Sequence, residues 1–158
     1  MKPVLQALVL ADHVYQDQTG KKIICGTFNT VKFSRKPPVT EVQRPDGTAQ
    51  TVLMGGVQGG SPYAYLSLTD VCEGTKLLLR FVNLNQNAVL FGTEVTVSNV
   101  NRLATIEMVF PLPRLPIQEA GTYALEVVCD DGILGSCRIT AENMDEKAEG
   151  PKADGPGR

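Results

Sequence analysis

The chain has no tryptophan, a single histidine (His13) and aromatic side chains at only 6% of its 158 residues. One histidine argues against an enzyme that works through paired histidines, and the missing indoles weaken the case for a sugar-stacking platform. Long apolar runs are missing too. The best candidate, Val4 to Ala11, is interrupted by Gln6 and falls well short of the ~20 residues that cross a bilayer. Although Lys2 precedes it, this run is short for the core of a secretion signal and leads directly into Asp12-His13-Val14. It reads as a strand. A cytoplasmic location without membrane contact is therefore expected.

Charge of one sign is also scarce. The formal net charge is −2, and residues after Thr140 carry all of it, leaving twelve acids and twelve bases in the rest. Nucleic-acid binders draw most of their affinity from phosphate contacts and show a basic excess on the folded part. None exists here, so no nucleic-acid partner is expected. The four cysteines (Cys25, Cys72, Cys129, Cys137) form no Cys-x-x-Cys pair. A zinc site would have to gather four thiolates from distant segments. The simpler reading is four reduced, buried thiols. No metal and no cofactor are expected.

What the chain does have is turns and alternation. Hydrophobic residues make up 42% and charged residues 20%, with 15 Gly and 10 Pro, which excludes a disordered chain or a coiled coil. A domain of this length buries roughly two-thirds of its unfolded surface, enough to hold without metals or disulfides. Short apolar segments recur between turn residues, and none has helical spacing. Ala64, Leu66 and Leu68 alternate with Tyr63, Tyr65, Ser67 and Thr69; Leu77, Leu79 and Phe81 alternate with Lys76 and Arg80. Val89, Phe91, Val95 and Val97 oppose Glu94 and Thr96, and Ala104, Ile106, Met108 and Phe110 oppose Thr105 and Glu107. Pro111, Pro113 and Pro116 then stop strand pairing.

The last hairpin can be registered from the residues alone. Tyr123, Leu125, Val127 and Cys129 form one face, and Ile133, Gly135, Cys137 and Ile139 form the matching face of the return strand. Only an odd loop keeps both on one side, which selects Asp130-Asp131-Gly132 with glycine in the left-handed position. Cys137 then faces Leu125, about 13 Å along the strand from Cys129, too far for a disulfide.

Residues 32–60 are less regular, with Pro37-Pro38, Pro45-Asp46-Gly47 and the glycine run Gly55 to Gly60. They read as a long connection with room for an edge strand near Thr51 to Met54. Residues 142–158 are polar and read as a disordered tail, leaving 1–141 as one all-β, antiparallel sandwich of about seven to nine strands.

Glu119-Ala120-Gly121-Thr122-Tyr123-Ala124-Leu125 resembles the tyrosine corner of immunoglobulin-like sandwiches, where the hydroxyl bonds back to the upstream backbone. Leu125 stands where the second cysteine of those domains would be. Further stretches are similar to an uncharacterised bacterial family of small immunoglobulin-like β-sandwich proteins, a domain of unknown function. They are Leu8 to Asp12 with Ile23 to Asn29, Tyr65 to Leu68 with Glu73 to Arg80, and Gly121 to Tyr123 through Gly135-Ser136. That resemblance implies a sandwich and carries no catalytic residues.

Candidate chemistry is sparse. His13 lies beside Asp12 and near Asp17, yet no Gly-x-Ser-x-Gly elbow accompanies it, and a histidine at a strand end is the plainer reading. The glycine run ends in Gly60-Ser61-Pro62, without the Lys-Ser/Thr of a phosphate loop. Asp130-Asp131 and Asp145-Glu146 lack the spaced acids of a calcium loop. A possible binding face remains: Tyr63 and Tyr65, joined by Lys76 and Arg80 if the two strands pair as a hairpin. The plainer alternative packs the tyrosines under the glycine-rich connection or against lysine stems. The expected function is a non-catalytic interaction or structural module with another protein as partner, homo-oligomerisation being compatible. The alternative is a small-ligand or carbohydrate-binding module on the tyrosine face.

Overall fold

The alternation does generate two facing layers. The computed structural model describes residues 2–34, 39–43, 47, 49–53, 61–98, 100–130 and 132–145, and they form strands with no α-helix. The first sheet is antiparallel, in the order β2 (Lys22–Thr27), β1 (Val4–Gln16), β6 (Tyr63–Thr69), β9 (Ile106–Pro111). The second runs β3 (Thr30–Phe33), β11 (Gly132–Asn143), β10 (Gly121–Cys129), β7 (Lys76–Asn83), β8 (Ala88–Thr96). All its pairs are antiparallel except β3 with β11. A separate hairpin joins β4 (Val39–Gln43) to β5 (Ala49–Leu53). A strand does lie near Thr51, but among the described residues it pairs with β4 in this separate hairpin and not with either main sheet. The glycine run and residues 146–158 lie outside the described residues.

The core follows from period two. Leu10, Ala64, Leu66 and Leu68 face inward from the first sheet, and Leu77, Leu79, Phe81, Tyr123, Leu125, Val127 and Ile139 meet them from the second. Each such large side chain contributes about 1.5–3 kcal/mol on leaving water. Phe91 and Ile106 pack against this cluster from its rim. Strand β10 is special because every residue from Tyr123 to Cys129 is buried. It lies between β7 and β11 with side chains covered on both faces. Phe81 stacks against Tyr123 with ring centres 5.5 Å apart, and against Phe91 at 5.4 Å.

The Tyr123 hydroxyl donates to the Glu119 carbonyl at 3.0 Å, the back-bond expected at this corner. Gly121 permits the turn into β10: its φ is 151°, and a Cβ there would strike the Asn85 side chain.

Several expectations need correction. Strands β6 and β7 do not form a hairpin; they belong to different sheets. Their connection is an arch, with Asp70 (φ 56°) and Gly74 (φ 77°) in left-handed conformations and Val71 fully buried between the layers. The β10–β11 turn is shorter than expected, since Cys129 pairs directly with Gly132 and the positive φ falls on Asp130 rather than on the glycine. A bulge between Val127 and Val128 then restores the expected pairing of Leu125 with Cys137. It also turns Ile133 outward, 55% exposed. A second bulge, between Phe81 and Val82, does the same to Val89, 57% exposed. Finally, Ala104 lies outside β9 in an exposed turn, and β11 runs to Asn143.

Burial pushes the Tyr123 phenol above its ordinary value. The folded chain therefore holds that proton more tightly than the unfolded one, so this contribution is intact below about pH 10 and is lost as pH climbs through the raised value. We expect Tyr123→Phe to lower unfolding stability in urea by about 1–2 kcal/mol at pH 7, with an unchanged slope, and to reduce the loss of stability above pH 10.

Candidate functional site

Tyr63 and Tyr65 project from β6 on the outer face of the first sheet, opposite the buried Ala64, Leu66 and Leu68. Register places their neighbours: Ala11 and Val9 on β1, Pro111 and Val109 on β9. Further along the same face, His13 lies opposite Cys25 and Tyr15 opposite Ile23. The His13 and Tyr63 rings are 6.2 Å apart. Tyr15 contacts the Cys25 thiol, which holds its phenol above the usual value. Burial and the hydrogen bond donated to Glu107 do the same to Tyr65. Ala11 and Ser67 share this face and are buried between taller neighbours. The result is a face that sets Ile23, Tyr15, Tyr63, Tyr65, Val9 and Val109 among the polar Thr27, Ser67 and Glu107, with no described element packed over it.

Lys76 and Arg80 do not join that face. Both lie on β7 in the other sheet, so they point to the opposite side of the sandwich. Lys76 is an exposed partner of Glu94 at 3.8 Å, a pair worth little in solvent. Arg80 sits directly across from Glu126, and its Nε donates to Oε2 at 2.8 Å. Glu126 is only 8% exposed. A carboxylate so shielded requires a charged partner, because desolvation would otherwise make the charged form costly. Arg80 therefore reads as a neutralising group, while the outward Val89 and Ile133 give this face two separate apolar edges.

A third feature was not anticipated. At one end of the sandwich a cleft of about 640 Å³ is lined by Phe33, Leu90, Pro116, Ile117, Tyr123 and the polar Asn83, Gln86, Gln118, Glu119 and Ser34. Its polar floor is tightly organised. Asn83, 3% exposed, accepts from the backbone N–H groups of Asn85 and Gln86 at 2.9 and 3.2 Å. Its Nδ2 donates to Glu119 Oε1 at 2.8 Å, and Gln86 Nε2 donates to the same oxygen at 2.8 Å. These residues come from segments far apart in the chain. The only local signal was the Asn85-Gln86-Asn87 turn, which looks the same whether or not a cleft forms beside it.

The remaining candidates separate. Asp17 is occupied by its own turn, accepting from Thr19 N, Thr19 Oγ1 and Lys21 N at 2.8, 2.7 and 2.9 Å. Those bonds, the Thr19 hydroxyl foremost, hold its carboxyl below the usual range, so it does not serve His13. Among the described residues no three His, Cys, Asp or Glu side chains gather as a metal site, and no helix is long and apolar enough to cross a membrane. All four cysteines are free. They are not all buried as expected: Cys25 and Cys72 are exposed, Cys129 is buried and Cys137 half-buried. No protein-family model matches the chain, and no curated protein matches it in sequence.

Two measurements follow from this geometry. Burial pushes the Cys129 and Cys137 thiols up, which lowers their thiolate fraction. Brief iodoacetamide treatment of the native chain at pH 8 should therefore alkylate Cys25 and Cys72 first, as read by peptide mass spectrometry. Arg80→Met should cost about 2 kcal/mol in urea unfolding, because it strands Glu126, and Arg80→Met with Glu126→Met should recover most of that loss.

Proposed function

We propose that the chain is an immunoglobulin-like sandwich that acts without catalysis, by binding another protein through the outer face of its four-stranded sheet. The back-bonded Tyr123 supports the fold assignment, as does the five-stranded sheet centred on β10 with a hairpin on either side. The resemblance to small bacterial sandwich proteins points the same way. Four free thiols support a reducing, cytoplasmic setting.

One observation carries the binding reading: Tyr15 and Ile23, 51% and 41% exposed, are continuous with His13, Tyr63 and Tyr65 on a single sheet face. Solvated sheet faces ordinarily alternate to polar side chains. An apolar face rich in tyrosine is the composition of interface hot spots, where an aromatic body packs and a polar tip stays wetted. Lys76 and Arg80 are not part of this surface.

The test is Tyr15→Ala with Tyr63→Ala in an affinity pull-down from the native cell, followed by titration with the captured partner. Tyr65 is left intact because its hydroxyl is tied to Glu107. Binding should weaken by roughly thirtyfold or more, with the thermal midpoint and circular-dichroism spectrum nearly unchanged. Retained capture with a lowered midpoint would assign the tyrosines to packing. Saturable sugar binding lost in the same variant would favour the carbohydrate-module alternative.

A further inference from the structure

Among the described residues lining the cleft at the end of the sandwich, Glu119 is the one carboxylate and none is a cation. Glu119 Oε1 already accepts two amide hydrogens, from Asn83 and Gln86. No donor among the described residues reaches Oε2, and no described cation lies within ion-pair distance of the carboxylate. The group is also held in place. The Glu119 carbonyl accepts the Tyr123 hydroxyl, and Asn83 is almost fully buried, so the carboxylate is fixed from both its backbone and its side chain.

An anion fixed in this way, beside the apolar walls of Phe33, Leu90, Pro116 and Ile117, calls for a particular ligand. Glu119 is half-buried, so a ligand carrying a positive charge complements its open oxygen in place of water, and an aliphatic stem covers the walls. Guanidinium binds best as a fork across both carboxylate oxygens. Here one oxygen is taken, which favours a point charge over a fork. The volume is within the range of about 300–1,000 Å³ usual for small-ligand sites.

We propose that this cleft receives a lysine side chain from a partner protein, its ammonium donating to Glu119 Oε2 and its methylene stem lying against Phe33, Leu90 and Ile117. The cleft lies apart from the tyrosine face, and the inference does not depend on that reading.

The test uses the full chain labelled with ¹⁵N, titrated with N-acetyl-lysine N-methylamide while the side-chain amides of Asn83 and Gln86 are followed by NMR. A saturable shift is expected with a Kd of about 1 mM. The neutral N-acetyl-norleucine N-methylamide should produce none, and the arginine analogue should bind several-fold more weakly. Glu119→Gln keeps the size and the acceptor for both amides, and it should weaken lysine binding about tenfold or more while leaving the thermal midpoint within a few degrees. No saturation by about 20 mM, or an equal response to the norleucine compound, would overturn the proposal on the unaltered chain alone. Unchanged lysine binding in a folded Glu119→Gln variant would overturn it as well. Tighter binding of free 1,5-diaminopentane than of the lysine derivative would replace the protein source with a soluble diamine.

Discussion

Strand β10 is covered on both faces, and the rest of the molecule arranges itself around that demand. Burying a strand twice requires apolar side chains inward, where Tyr123, Leu125 and Val127 meet the first sheet. Outward, Ala124, Glu126 and Val128 must be shielded by their neighbours alone. Alanine is small enough to be shaded by β7 and β11. Glutamate is not, and Arg80 answers its charge from the adjacent strand. The same strand begins at the Tyr123 corner, whose back-bond holds the preceding segment, and with it Glu119, against the end of the sandwich. Core packing, the half-buried ion pair and the polar floor of the cleft are thus three results of one doubly enclosed strand.

Alternation made much of this readable. The inward sets on β6, β7 and β10 are the ones the residue pattern names, and even the pairing of Leu125 with Cys137 is as expected. Bulges were not readable. Parity of the apolar faces demands one extra residue somewhere in the β10–β11 hairpin, and the sequence places it in the turn. The chain instead makes a tight turn at Asp130 and inserts the extra residue inside β11. The two solutions satisfy the same parity and differ only in the fate of Ile133. Val89 is turned out by the same kind of shift in β8.

The connection between β6 and β7 posed a harder ambiguity. Facing apolar sets are compatible with a hairpin in one sheet and with an arch between two. The deciding residue is Val71, which a hairpin would expose and the arch buries completely. One mistaken connection was enough to merge two sides of the molecule into a single imagined face, putting Lys76 and Arg80 beside tyrosines that lie across the core from them. Tyr63 and Tyr65 share one outward face because that placement depends only on alternation within one strand. Tyr15 and Ile23 are not legible in the sequence for a related reason: their adjacency to β6 is set by the pairings of β1, not by spacing along the chain. The cleft draws on residues near positions 33, 83, 90 and 117, and no local pattern unites them.

The parallel pairing of β3 with β11 has a bearing on how the chain is made. Thr30 and its neighbours find their partners only at Thr140 to Asn143, more than a hundred residues later in synthesis. On the ribosome, β1 and β2 can close early as a local ribbon, but the next strand must wait for nearly the whole domain to be translated. Assembly of the five-stranded layer is therefore a late event dominated by distant contacts, the kind that slows folding. Until the final strand emerges, Phe33 has no place to bury its ring, and the nascent segment is a natural client for whatever shelters unfinished chains.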